Sequence, residues 1–324
     1  MFIKNIQLKY HDNLIKKYVD ISEFNEIKKI FTKLFDKDKN QLSTLLKSNL
    51  FKMLEDEKSS NLFSQNLIWI KSYNLKDTEI INSFLNFYFD NVKFEYFGPK
   101  SYADYTLALL DQLKIESDLT FDELKNFSYV YQYFISQLHK DKYVILNSDL
   151  VFFESELKRY FTHYYLSKCY FYVVKNPRLV FDDIKSANAG LDSQIALNLL
   201  LNRDGKNTFT YNKNKTHFFE NCKQGWDINV SSWTNANVLS TFRGIAFKFE
   251  DIVNNPKEIF IDIIGHLIQH GVKIKLNYQV INDFIELNAD KIKVNIEPEA
   301  LSNKELKLFK RDLTNIPNSF KYLI

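Results

Sequence analysis

Apolar positions along the chain change period several times, and the changes divide it into elements. Glu23–Phe35 places Phe24, Ile27, Ile30, Phe31 and Leu34 on one helical face, and Gln41–Leu54 repeats the pattern with Leu42, Leu45, Leu46, Leu50, Phe51 and Leu54. Asp77–Phe89 predicts a third helix, with Asp77 as its N-cap. Leu62–Ile70 suits a strand or a helix equally. Residues 1–90 are thus expected to form a mainly helical region that covers the rest.

From Val92 the pattern becomes strand, turn, helix. Val92–Phe97 is of strand type, Gly98 and Pro99 should end it, and Tyr105, Leu107, Leu109 and Leu110 suit a partly buried helix. Thr120–Leu138 reads as a helix opened by a capping box at Thr120. Lys142–Asp149 is a buried strand ended by Asn-Ser-Asp, and Phe152–Leu166 reads as a helix. The strand CYFYVV (169–174) is stopped by Lys-Asn-Pro, with Pro177 suited to a first helical turn. Helices are expected over Ser193–Leu201, from Gly225 to Trp233, over Pro256–Gln269, around Tyr278–Leu287 and from Asn303, and a polar loop over Lys206–Lys215. Gly244–Phe249 gives a further strand.

Four strands, at 92–97, 142–147, 169–174 and 244–249, alternate with helices, and no hairpin turn joins them. That pattern predicts an α/β fold: a three-layer parallel sheet with crossover helices over 91–324, preceded by the helical region 1–90. Ligands of such sheets bind beyond the carboxyl ends of the strands. The residues there are Gly98-Pro99-Lys100-Ser101, Asn147-Ser148-Asp149, Lys175-Asn176-Pro177-Arg178 and Glu250-Asp251. Lys100 beside a helix N-terminus would make an anion site, although the same junction serves as a plain turn in many α/β proteins.

Composition narrows the classes. The 324 residues are 45% hydrophobic and 26% charged, ample for a large core. A net charge of +3, with no basic helix, argues against nucleic acid as a partner. Only five arginines occur (Arg159, Arg178, Arg203, Arg243 and Arg311), so arginine forks for phosphate have few candidates. Cys169 and Cys222 form no CxxC motif and read as core thiols of a reducing compartment. No apolar run reaches membrane-spanning length, and Met1–Asn13 lacks an apolar signal core, so a soluble cytoplasmic protein is expected. His266 and His270 lie four apart on one predicted helix with no third ligand nearby, so no metal is expected. The absence of GxxxxGK[ST] argues against a phosphate-loop kinase.

Three of the junctions, in this order, resemble the sulfotransferase family. In Gly225–Leu267, Trp226, Val230, Ser232 and Trp233 keep the family's spacing, and Phe249-Glu250-Asp251-Ile252 stands at its Tyr-Glu-Asp-Leu position. Asn229 stands where a histidine is usual. Tyr172–Ile184 is similar to the strand whose arginine, with a serine eight residues on, holds the donor's 3′-phosphate; here these are Lys175 and Asp183. FGPKSYADYTLALL is similar to the Pro-Lys-Ser-Gly-Thr-Thr-Trp-Leu loop around the 5′-phosphosulfate, with Pro99, Lys100 and Ser101 matching, Tyr102-Ala103-Asp104 replacing Gly-Thr-Thr, and Tyr105 replacing the tryptophan.

The resemblance implies 3′-phosphoadenosine 5′-phosphosulfate (PAPS) as co-substrate, no metal, and a hydroxyl acceptor such as a glycan or small metabolite. It implies donor-binding roles for Gly98, Pro99, Lys100, Ser101, Tyr105, Lys175, Asp183, Trp226 and Phe249. Lys100 would be the electrophilic residue. Asp149, at the end of the second strand, would be the base; a helix cap is the alternative reading of that residue, as core packing is for Tyr105 and Trp226. A catalytically inactive or repurposed binding protein of the same fold is the alternative function, favoured by Tyr102 and Asp104 in the loop.

Overall fold

The structure, a computed structural model, describes residues 64–89, 94–102, 105–106, 127–129, 131–133, 135–136, 139–150, 153–154, 159–160, 162–188, 190–201, 224–313 and 322. The helices expected at 23–35 and 41–54 and the loop at 206–215 lie outside them.

Five parallel strands form the sheet: β1 (Leu67–Ser72), β2 (Phe94–Ser101), β3 (Tyr143–Ser148), β6 (Ser167–Val174) and β7 (Gly244–Lys248), in the order β2-β3-β1-β6-β7. Two short strands, β4 (Phe153–Glu154) and β5 (Arg159–Tyr160), pair antiparallel beside it. The predicted parallel α/β class holds, with one strand more than expected. That strand, β1, is the centre of the sheet. Leu67 and Trp69 face one helical layer, Ile68 and Ile70 the other, and all are at most 1% exposed. A strand buried on both faces has no period-two signal, so its sequence reads ambiguously. The boundary expected at 90/91 therefore falls within the α/β body, which includes β1 and the helix after it.

That helix, α1 (Glu79–Tyr88), follows a 3-10 turn at Leu75–Thr78. Asn74, not Asp77, caps the turn: its side chain accepts from Lys76 N at 3.3 Å. The remaining helices are α2 (Pro177–Ala187), α3 (Ser193–Leu201), α4 (Trp226–Thr234), α5 (Ala236–Thr241), α6 (Phe249–Asn254), α7 (Pro256–Gln269), α8 (Tyr278–Leu287), α9 (Ala289–Ile292) and α10 (Asn303–Asp312). Pro177 opens α2 as expected, behind an Asn176 cap.

Two core layers sandwich the sheet. Trp69, Tyr170 and Tyr172 pack with Leu197 and Leu200 of α3 and Trp226, Val230 and Trp233 of α4. Ile68, Ile70, Phe171 and Val173 pack with Phe84 of α1, Phe260 and Ile263 of α7 and Phe284 of α8. Phe84 stacks on Phe260 with centroids 4.1 Å apart. Each such side chain contributes roughly 1.5–3 kcal/mol by leaving water.

Two local expectations fail. Gly98 and Pro99 do not end β2, which runs on to Ser101 with a register shift between Tyr96 and Ser101. Among the described residues β2 pairs only with β3, and an edge strand tolerates proline because one side of it has no ladder. Phe152–Leu166 is not one helix: it holds β4, β5 and a turn at 164–166. Its six Phe and Tyr residues favour extended backbone over a helix.

Candidate functional site

The sheet has a topological switch point between β1 and β6. The helix after β1 packs on one face and the helix after β6 on the other: Phe84 and Leu85 of α1 lie in one layer, Val180 and Phe181 of α2 in the other. β1 and β6 are paired up to Ser72 and Val173, so their carboxyl ends open side by side. In open parallel sheets this crevice is where ligands bind.

Lys175 stands there, one residue past β6. Its Nζ lies 2.6 Å from Asp183 Oδ2 and 3.4 Å from Asp77 Oδ1, and it covers the Phe249 ring at 5.1 Å. Trp226 Nε1 donates to the Lys175 carbonyl at 3.1 Å. Burial pulls the Lys175 ammonium down, and the two aspartates outweigh it, leaving its pKa above the usual lysine range. Asp77 moves upward. Burial raises its carboxyl to about 7, with Lys175 opposing and Asp183 and Glu250 adding to the rise. Glu250 accepts from Asn176 N at 2.8 Å and lies 3.0 Å from the Tyr322 hydroxyl.

A second cluster sits at the ends of β2 and β3. Ser101 Oγ donates to Asp149 Oδ1 at 2.7 Å. Asn229 of α4 donates to the Asp149 carbonyl at 2.7 Å and accepts from the Tyr172 hydroxyl at 2.7 Å. Asn229 therefore ties β3 to β6 across the crevice. Beside this bridge lies Lys71 of β1, fully buried between the faces of Trp69 and Trp233.

The sequence-predicted residues divide accordingly. Lys175, Asp183, Trp226 and Phe249 come together, and Ser101 joins Asp149. Gly98, Pro99 and Lys100 are residues of the edge strand, three strand spacings from β6, or roughly 14 Å at about 4.8 Å each. Tyr105, only 2% exposed, is part of the core. Tyr102 is also buried, donating to the Ser128 carbonyl at 2.8 Å and meeting Trp69 edge to face. Trp226 is fully buried, so its indole N–H rather than its ring face serves the site. Arg178 donates to the Glu299 carbonyl. His266 bonds the Arg243 carbonyl and is pushed by burial to about 4.

Sequence reasoning missed Asp77 and Lys71. The turn after the central strand, Tyr73–Glu79, stands at the carboxyl end of β1 beside the crevice. It contains no glycine, and several of its amides are used locally. Asn74 N donates to Ser72 Oγ, Lys76 N to Asn74 Oδ1 and Asp77 N to the Asn74 carbonyl.

No protein-family model and no curated protein sequence matches the chain. Among solved structures it is similar to mouse sulfotransferase SULT7A1 complexed with PAP, at 12% identity and a TM-score of 0.44, over 81% of this chain and 90% of that one.

Proposed function

We propose that this chain is a sulfotransferase-like group-transfer protein. It takes PAPS at the crevice between β1 and β6 and moves the sulfuryl group to a hydroxyl of a glycan or small metabolite. The observation that supports this reading is convergence. Asp149, Lys175 with Asp183, and Trp226 with Phe249 were singled out along the chain; Lys175, Asp183, Trp226 and Phe249 come together past β6, and Asn229, on the same helix as Trp226, ties that group to Asp149 at the end of β3, with β1 between. Sulfuryl transfer needs a cation for the donor and a proton acceptor for the hydroxyl, held in line. Lys175 supplies the cation, Trp226 fixes the backbone that carries it, and the Asp149 end of β3 faces the hydroxyl.

A second reading is a fold relative that binds a ligand without using the donor. It is favoured by the Asp77 carboxylate on Lys175 and by the occupied amides of the turn, both of which oppose a polyanion. Thermal unfolding with and without 3′-phosphoadenosine 5′-phosphate (PAP), the product nucleotide, separates the two. A ligand at a hundred times its Kd stabilises by about 2.7 kcal/mol, a rise of a few degrees for a chain of this size. A rise that Lys175→Gln removes and Asp77→Asn enlarges supports the donor site. No rise with millimolar PAP for either the wild type or Asp77→Asn leaves the second reading.

A further inference from the structure

Lys71 is a lysine where the fold needs only an apolar side chain. Alternation along β1 puts it on the face of Leu67 and Trp69, in register with Ser148 of β3 and Tyr172 of β6. Its Nζ lies 4.3 Å from the Trp69 ring centroid and 4.2 Å from that of Trp233, and the residue is 1% exposed. The polar groups around it are engaged elsewhere. Trp69 Nε1 donates to Ser167 Oγ, Trp233 Nε1 to the Leu150 carbonyl, and Tyr172 to Asn229. Among the described residues, Lys71 Nζ has no hydrogen-bond partner. A methionine or leucine would fill the space between the two rings without the cost of burying an amine.

Burial pushes the Lys71 ammonium well below the usual lysine range, and the nearby Asp149 charge works against that shift. An amine whose charged form burial disfavours is the better proton acceptor, and a carboxylate beside it steadies the ammonium it becomes. We propose that Lys71 is the proton acceptor for the hydroxyl substrate, with Asp149 as the positioning residue that stabilises the resulting ammonium. The inference rests on the sulfuryl-transfer reading and gives the proton a destination other than the Asp149 carboxylate. In the step, the acceptor O–H bond breaks and its proton passes to the Nζ lone pair. The oxygen bonds to sulfur, and the bond from sulfur to the donor's phosphate oxygen breaks. That electron pair leaves on 3′-phosphoadenosine 5′-phosphate. The ammonium then returns its proton to solvent.

The first test is arylation of the full chain with 1-fluoro-2,4-dinitrobenzene across a pH series, read by peptide mass mapping. At pH 7 Lys71 should label at least about tenfold faster than the exposed Lys304. Asp149→Asn should move the midpoint of Lys71 labelling to lower pH, because it removes the charge that favours the ammonium. Lys71 left unlabelled, or labelling no faster than Lys304, overturns the proposal. The second test is transfer from radiolabelled PAPS to 2-naphthol. Lys71→Arg, which cannot release its proton, should abolish transfer while keeping the thermal shift with PAP; Lys71→Met controls for packing. Asp149→Asn should slow transfer without abolishing it, with the acid limb of its pH profile displaced downward. Transfer that survives in Lys71→Arg and is lost in Asp149→Asn assigns the base to Asp149 and overturns the proposal. A wild type that shows no shift with PAP removes the sulfuryl-transfer reading, and with it the base role, even where arylation finds a reactive amine.

Discussion

Lys175 and Asp77 face each other across the crevice between β6 and β1, with Nζ and Oδ1 3.4 Å apart. The pair is unequal. Lys175 also holds Asp183 at 2.6 Å and keeps its charge, whereas Asp77 is 3% exposed and its carboxyl is raised by burial to about 7. The folded pKa of Asp77 is above its unfolded value of 3.8, so the native state binds the extra proton between those two values. Its contribution to stability is full below about pH 4 and is lost as pH rises through about 7.

Asp77→Asn keeps the shape of the protonated acid and cannot ionise. The wild type should therefore lose stability relative to this variant between pH 4 and pH 8, by roughly 2–4 kcal/mol. Urea denaturation of both proteins across that range checks it. A difference that stays constant with pH would mean that Asp77 is ionised throughout. The same substitution leaves Lys175 with Asp183 alone, which is why PAP should bind the variant more tightly.

Lys71 gives the opposite dependence. Its folded pKa is depressed below the usual lysine value of 10.5, so the unfolded chain binds the extra proton. The wild type should gain stability as pH rises from neutral toward 10, relative to Lys71→Met, and the variant should be the more stable of the two at pH 7. The difference in denaturation midpoint, measured at pH 7 and pH 10, should shrink at the higher pH.

How far the fold was legible depended on burial pattern. Strands at β3, β6 and β7 and the helix at Pro256–Gln269 stand out because apolar runs end at Pro, Asn or Gly. β1 did not stand out, because a strand covered on both faces looks like any buried segment. That Lys175, Asp183, Trp226 and Phe249 come together was expected from residue types that recur at fixed offsets along contiguous chain. Asp77 and Lys71 were not, since a lysine after four apolar residues and an aspartate near a helix start are ordinary in sequence. Only the sheet order makes them neighbours of the site.

The bridge from Tyr172 through Asn229 to Asp149 is buried at Tyr172 and Asn229 and ends at the half-buried Asp149. Tyr172→Phe removes one hydroxyl and leaves Asn229 Oδ1 without that donor. A loss of about 1–2 kcal/mol is expected. If Asn229 positions the end of β3, the same variant should weaken transfer to a hydroxyl probe more than it weakens PAP binding. Equal losses in both would mean that the bridge is only structural.

Glu305 joins three helices. It accepts from Lys185 of α2 at 2.8 Å and from Ser193 of α3 at 2.7 Å, and it closes a capping box with Ser302 ahead of α10. The Lys185 ammonium, with the Ser193 and Ser302 donors, brings its carboxyl down to about 2. The folded value is below the unfolded 4.5, so its stabilisation is complete above that pH and is lost as pH falls toward 2. Glu305→Gln should cost about 1 kcal/mol at pH 7 and nothing further in acid. Circular dichroism melts at pH 7 and pH 3 should show the two proteins converging.

Two glycines should respond in opposite ways to the same added methyl group. Gly225 stands just before α4, the helix that delivers Trp226 and Asn229 to the crevice. A Cβ there would run into the carbonyl and Cα of Leu201, the last residue of α3. Those atoms are backbone at the end of a packed helix and cannot turn aside as a side chain would. Gly225→Ala must push α4 away from α3, at a cost of roughly 2 kcal/mol or more. Because α4 carries Asn229, the shift should also loosen the hold on Asp149 and disturb ligand binding at the crevice. Gly265, inside α7, has nothing within 4 Å of its added Cβ. Gly265→Ala should stabilise by about 0.5–1 kcal/mol through helix propensity and a less free unfolded chain, without touching binding. Chemical denaturation of the two variants beside the wild type measures both. Equal and small effects would show that α3 and α4 are not packed closely enough at Leu201 to fix the site.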